Sequence, residues 1–196
     1  MSTTTRPDLL QAALTLFAER GFYGASIAEI SRELGLTKQA LLHHFGTKEK
    51  LYGDVLQLIN DQMLEQMEAL QTRPSPPEHH LEETIVALYG PGPEATLGAR
   101  VIMRELLDNV SRAEQARSWY LKPFLEKLID MARQVPGHHS RSDGELLAVV
   151  YQLLGAVNYF SLSQPTLLQI FGKKTLTETK KAFPDELRKL IRGALG

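Results

Sequence analysis

The sequence predicts an all-α chain in which an N-terminal three-helix module is joined by a long helix to a larger helical part. Three observations predict it. Apolar residues recur at helical spacing along almost every segment, no stretch sustains the period-two alternation of a strand, and the breaks carry helix caps and terminators. With 196 residues, 43% of them hydrophobic, the chain is large enough for a packed core or for a small module fused to a larger one.

The elements follow in order. Pro7 suits a first helical position, and Leu10, Ala13, Leu14 and Phe17 then repeat on one face until Gly21 stops the helix. Ser26 and Glu29 have capping-box spacing ahead of Ile27, Ile30 and Leu34, with Gly35 as terminator. Thr37 can cap the next short helix, in which Leu41 and Phe45 form an i, i+4 apolar pair, and Gly46 ends it. Thr47 caps a long helix to about Gln71. The run Arg73-Pro-Ser-Pro-Pro77 breaks the chain. Helices are then expected near 78–89, 94–110, 114–134 and 145–160, and a last one from Pro184, with loops at 90–93 and 135–144. Pro123 must kink the third of these or mark its true start. In the last helix Asp185 and Glu186 precede Arg188, Lys189 and Arg192, the order that complements the helix dipole.

Composition narrows the chemistry. Net charge is −1, so contact with nucleic acid must come from a local arrangement of groups and not from bulk charge. The chain has no cysteine, which excludes disulfides, thiolate metal sites and cysteine nucleophiles and suits a reducing compartment. The six histidines come as adjacent pairs, 43–44, 79–80 and 138–139, which point about 100° apart on a helix and form no helical metal site. No metal and no cofactor is expected. The polar N-terminus and the short apolar run Leu146–Val157 predict a cytoplasmic protein with no membrane contact.

Ser26 to Phe45 is the informative stretch: a short capped helix, the turn Gly35-Leu36-Thr37, and a second short helix. Helices this short need a partner, which the helix from Pro7 to Arg20 supplies. In such a layout the last helix enters the major groove. Leu41 and Phe45 face the core, which leaves Lys38, Gln39, Leu42 and His43 on the other faces. Gln39 can hydrogen-bond a base edge, and Leu42 offers an apolar surface to a thymine methyl. Ser26, Thr37 and Lys48 lie at or near helix N-termini, where backbone N–H groups favour phosphate, and Lys38 adds a cation.

Here the chain resembles the TetR family of one-component regulators. Gly21-Phe-Tyr-Gly-Ala-Ser26 is similar to the family's junction between its first two helices. Ile27-Ala-Glu-Ile30, Leu34-Gly-Leu36, Leu41-Leu-His-His-Phe45 and Thr47-Lys-Glu-Lys-Leu51 are similar to its helix-turn-helix signature. The resemblance covers about residues 8 to 56 and implies phosphate contacts at His44 and Lys48. It also implies a DNA-binding domain at 1–50 and a helical ligand-binding and dimerisation domain at 51–196. The family usually has a tyrosine where this chain has Leu42, so Leu42 and His43 join the DNA-facing set with their roles left open.

The resemblance further implies a homodimer, a roughly palindromic double-stranded operator and a small-molecule effector that releases a repressor from it. Leu146–Phe160 reads as apolar on nearly every face, and Leu187, Leu190, Ile191 and Ala194 give the last helix an apolar stripe. The helices at 145–160 and 184–195 are therefore the expected dimer interface. Met103, Trp119, Tyr120, Phe124, Tyr151 and Asn158 are the expected effector contacts. No catalytic residue is expected. A small all-α enzyme using acids such as Glu82, Glu83, Glu105 and Asp108, which read as solvated helix faces, stays open as an alternative, as does a helical protein-binding adaptor.

Overall fold

The computed structural model describes residues 5–72, 74–90, 93–108 and 120–195, and among them every regular element is a helix. These are α1 (Arg6–Gly24), α2 (Ile27–Glu33), α3 (Lys38–Phe45), α4 (Lys48–Gln71), α5 (Pro77–Leu88), α6 (Pro93–Asp108), α7 (Lys122–Gln134) and α8 (Asp143–Leu195). The described residues form two compact units. One is built from those up to Gln62 and from Leu97 to Leu121, the other from Met63 to Thr96 and from Lys122 onward.

Local chemistry explains most helix starts. At α1 the Thr5 N–H and hydroxyl both donate to the Asp8 carboxylate, at 2.8 and 2.6 Å. At α2 the Ser26 N–H and hydroxyl donate to Glu29 at 2.9 and 2.8 Å, while the Glu29 N–H donates back to the Ser26 hydroxyl at 3.2 Å. Ser142 and Glu145 repeat the arrangement at α8. Each box satisfies N–H groups that the first turn leaves without partners. The boxes also hold the Asp8, Glu29 and Glu145 carboxyls below their usual range, through these hydrogen bonds from Thr5, Ser26 and Ser142.

In the first unit α1, α2, α3 and the start of α4 share a core of Leu14, Phe17, Ile30, Leu41, Leu51 and Val55, each 0–1% exposed. Phe17 and Tyr52 meet edge to face with centroids 4.9 Å apart. The expected stop at Gly21 is present as a break within α1, where φ of 70° and ψ of 174° leave helical geometry. From α6, Arg104 donates through Nη2 to the Glu19 carbonyl at 3.0 Å, which gives the end of the regular part of α1 a partner.

In the second unit α5 packs on α7 and α8, and α7 packs on α8. Met67, Leu81, Ile85, Phe124, Leu128, Leu146, Val150, Leu153, Leu187 and Ile191 belong to its single core. Pro123 is the second residue of α7 and marks its start. Residues 114–119 of the helix expected there lie outside the described residues.

The expected pair of helices at 145–160 and 184–195 is corrected. One helical assignment runs from Asp143 to Leu195 and breaks at Gly172, where φ is 76° and ψ is 169°. Phe160 and Phe183 stack with centroids 4.0 Å apart. In a straight helix their 23-residue separation would put them about 34 Å apart, so Gly172 reverses the chain into two arms. Pro184 is inside the second arm and not at its start, because the exposed Lys- and Thr-rich residues after Gly172 are already helical. An apolar stripe could not reveal that exposed stretch.

Within this chain, Leu146, Val149, Val150, Leu153 and Val157 are buried, while Tyr151, Gln152 and Gly155 are exposed. Two further expectations change. By length and composition α8 contains a window able to cross a bilayer, longer than the run the sequence suggested, but its apolar side belongs to the core of the second unit. In addition, Glu82 is no solvated acid. It is 4% exposed and takes two hydrogen bonds from Arg192, at 2.7 and 2.9 Å, with Arg188 at 3.5 Å. The periodicity placed Glu82 on a helix, but only the approach of the second arm of α8 supplies its cations.

Candidate nucleic-acid interface

The turn between α2 and α3 is set by backbone hydrogen bonds. Leu34 and Leu36 N–H donate to the Ile30 and Ser31 carbonyls at 3.0 and 2.8 Å, and Gly35 takes a φ of 64° that favours glycine. Thr37 then caps α3, its hydroxyl accepting from the Ala40 N–H at 3.1 Å. The inner side of α3 is fixed by Leu41 at 0% and Phe45 at 5% exposure. Its outer side carries Lys38, Gln39, His43 and His44, all exposed, with Leu42 half-buried between them. An eight-residue helix sealed on one side and polar on the other can offer its outer side to a groove.

The end of α3 is braced from two directions. Arg6 lies over the Phe45 ring, 5.1 Å from its centroid, and pairs with Asp54 of α4 at 2.6 Å. Gly46, with φ of 79°, closes α3, and Thr47 caps α4 by accepting from the Lys50 N–H at 3.2 Å. The His43 and His44 rings lie 6.0 Å apart. Arg20 of α1 reaches Glu29 and Glu33 of α2 at 3.5 and 3.7 Å.

Most of the residues expected to face DNA come together at α3 and the first turn of α4. Lys38, Gln39, Leu42, His43 and His44 share α3, Thr37 caps it, and Lys48 begins α4. Lys48 is half-buried, with Nζ 4.3 Å from the centroid of Phe22. Ser26 differs in kind, since its hydroxyl proton is directed to Glu29 within the capping box. Its hydroxyl is thus a structural group first.

The residues expected to contact an effector are more dispersed. Met103 and Tyr120 belong to the first unit, where Met103 is half-buried and the Tyr120 hydroxyl lies against Gly53. Phe124, Tyr151 and Asn158 belong to the second. There Phe124 is 1% exposed within the core, Tyr151 is exposed and Asn158 half-buried. Trp119 lies outside the described residues. Asn60 was not singled out by the sequence, yet it is 1% exposed and its Oδ1 has no hydrogen-bond partner among the described residues. Nothing in the local sequence signals that burial.

Residues 9–55 match the family model described as bacterial regulatory proteins, tetR family. The HTH-type transcriptional repressor AcnR of Corynebacterium efficiens is 40% identical over 48 residues, which are 24% of this chain and 26% of that repressor. The HTH-type transcriptional repressor DhaR of Mycobacterium sp. is 26% identical over 133 residues, 65% of this chain and 67% of that protein. The chain thus aligns with about a quarter of the length of the first curated relatives it matches. In fold, it resembles the solved fatty acid degradation regulator FadR of Bacillus halodurans with a TM-score of 0.72 and 16% identity, covering 98% of each chain. Residues 9–55 thus carry the N-terminal module that the tetR family of bacterial regulatory proteins shares.

Proposed function

We propose that the protein is a sequence-specific DNA-binding transcriptional regulator, a repressor released from its operator by a small molecule. The observation that carries this reading is α3, whose Leu41 and Phe45 are buried while Lys38, Gln39, His43 and His44 are exposed. Gln39 reads a base edge and Leu42 meets an apolar base surface. Thr37, Lys38, His44 and Lys48 hold the backbone, with His43 beside them and Ser26 fixing the start of α2. Because the chain is nearly neutral, its grip comes from these few groups.

The same reading assigns DNA binding to residues 1–50 and effector binding and dimerisation to residues 51–196, in a cytoplasmic protein without catalytic activity. The dimer is supported by apolar side chains that α8 leaves exposed on both arms, among them Tyr159 at 80% and Leu190 at 50%. Leu187 and Ile191, expected in that interface, are buried in the core of their own chain instead. A two-fold dimer presents two α3 helices to successive major grooves of a roughly palindromic site. An effector is supported by Asn60, a buried acceptor with no hydrogen-bond partner among the described residues. Such a ligand acts through its different affinity for the DNA-competent and DNA-incompetent states.

A gel-shift experiment on the promoter region beside the protein's own gene tests the reading. A salt-sensitive shift that prefers this DNA over random duplex is expected. Folded dimer that gives no such shift overturns it.

A further inference from the structure

Two adjacent aromatic side chains follow the break at Gly21. Beyond it Phe22 turns inward, stacked on Phe17 at 6.5 Å and edge to face with Tyr52 at 5.1 Å. Tyr23 turns outward and is 68% exposed. It is not loose, because its ring meets Phe22 edge to face, with centroids 5.2 Å apart and planes at 83°. The Lys48 ammonium lies over the same Phe22 ring at 4.3 Å. One half-buried ring therefore carries a phenol from the α1–α2 junction and a cation from the first turn of α4.

We infer that Tyr23 is a DNA-phosphate contact that acts beside Lys48 on the shared Phe22 platform. This rests on the DNA-binding reading above. Lys48 follows α3 by only three residues, so the platform adjoins the C-terminal end of the helix proposed for the groove. The described part of α3 contains no phenol, and Leu42, half-buried on its outer side, has no hydroxyl to donate. Tyr23 supplies that donor from a different element. Since it stands off α3, it touches sugar-phosphate and not base edges, and a phenolic O–H is a suitable donor to a phosphate oxygen. A tyrosine held by ring packing loses little side-chain freedom when it binds.

The two platform groups predict different salt behaviour. Lys48 neutralises a phosphate and releases a counterion, whereas a neutral phenol releases none. Tyr23→Phe keeps the ring and its packing and removes only the hydroxyl. Binding is measured by fluorescence anisotropy against the promoter duplex and a random-sequence duplex of equal length, over a range of salt. Tyr23→Phe is expected to weaken both by about three- to tenfold with the salt slope unchanged. Lys48→Ala, measured alongside, is expected to weaken both and lower the slope by about one.

Unchanged affinity in Tyr23→Phe, with Lys48→Ala weakened, overturns the inference and leaves the DNA-binding reading standing. A loss confined to the promoter duplex also overturns it, since that is the mark of base reading. Wild-type protein that binds neither duplex in a salt-dependent way overturns the DNA-binding reading, and the inference with it.

Discussion

In the proposed reading, Gln39 and Lys48 make two kinds of contact with DNA. Gln39 is exposed on the outer side of α3, where a side-chain amide can pair with a base edge. Lys48 begins α4, and the cation–π contact with Phe22 fixes its ammonium near the end of α3. Gln39→Ala is therefore expected to cost about 1–3 kcal/mol against the preferred base at one operator position. Lys48→Ala should instead weaken every sequence to a similar degree. Binding to a panel of operator variants separates the two, and specificity lost in Lys48→Ala with only general affinity lost in Gln39→Ala would reverse the assignment. The chemical type of these residues was legible in the sequence from their offset to Leu41 and Phe45. The inward Phe22 and outward Tyr23 were not, because the pocket for Phe22 is made by Phe17 of α1 and Tyr52 of α4, which only the packing brings together.

Among the helices, capping boxes at α1, α2 and α8 do similar work. Only the one at Ser26 and Glu29 was expected from the sequence, although Thr5 with Asp8 and Ser142 with Glu145 have the same spacing. Ser26→Ala is expected to destabilise the first unit by about 1 kcal/mol, read from urea denaturation with tryptophan-independent far-UV circular dichroism. The boxes also set an acid limit. Their carboxyls are held below the usual range, so the stabilisation is complete above the ordinary carboxylate values. It is lost as pH falls through the depressed folded-state values. The melting temperature of Glu29→Gln should thus lie below wild type at neutral pH and converge with it in acid. A constant gap at all pH values would refute this origin.

Across the second unit, the reversal at Gly172 brings Arg188 and Arg192 to Glu82 of α5. Removing the buried charge and stranding it are different operations. Glu82→Met should lower the urea midpoint less than Arg192→Met, which leaves the carboxylate buried with Arg188 alone. The reverse order would mean that Glu82 is solvated without its partners. For the proposed dimer, the exposed Tyr159 and Leu190 are the residues to change. Tyr159→Arg with Leu190→Asp is expected to yield folded monomer by sedimentation, with DNA affinity reduced at least tenfold because one half-site is given up. A double variant that stays dimeric would place the interface elsewhere.

The sequence by itself determined the all-helical class, the starts and stops of the N-terminal helices and the identity of the α3 side chains. These depend on period, caps and glycines, which act over a few residues. Tertiary structure decided how the residues after Phe160 are arranged, since a polar helical stretch and a reversal at one glycine leave no apolar rhythm to read. It also decided that Glu82 and Asn60 are buried and that Phe124 belongs to a core. Burial of a given residue depends on which distant helix covers it, and that information is spread over the whole chain.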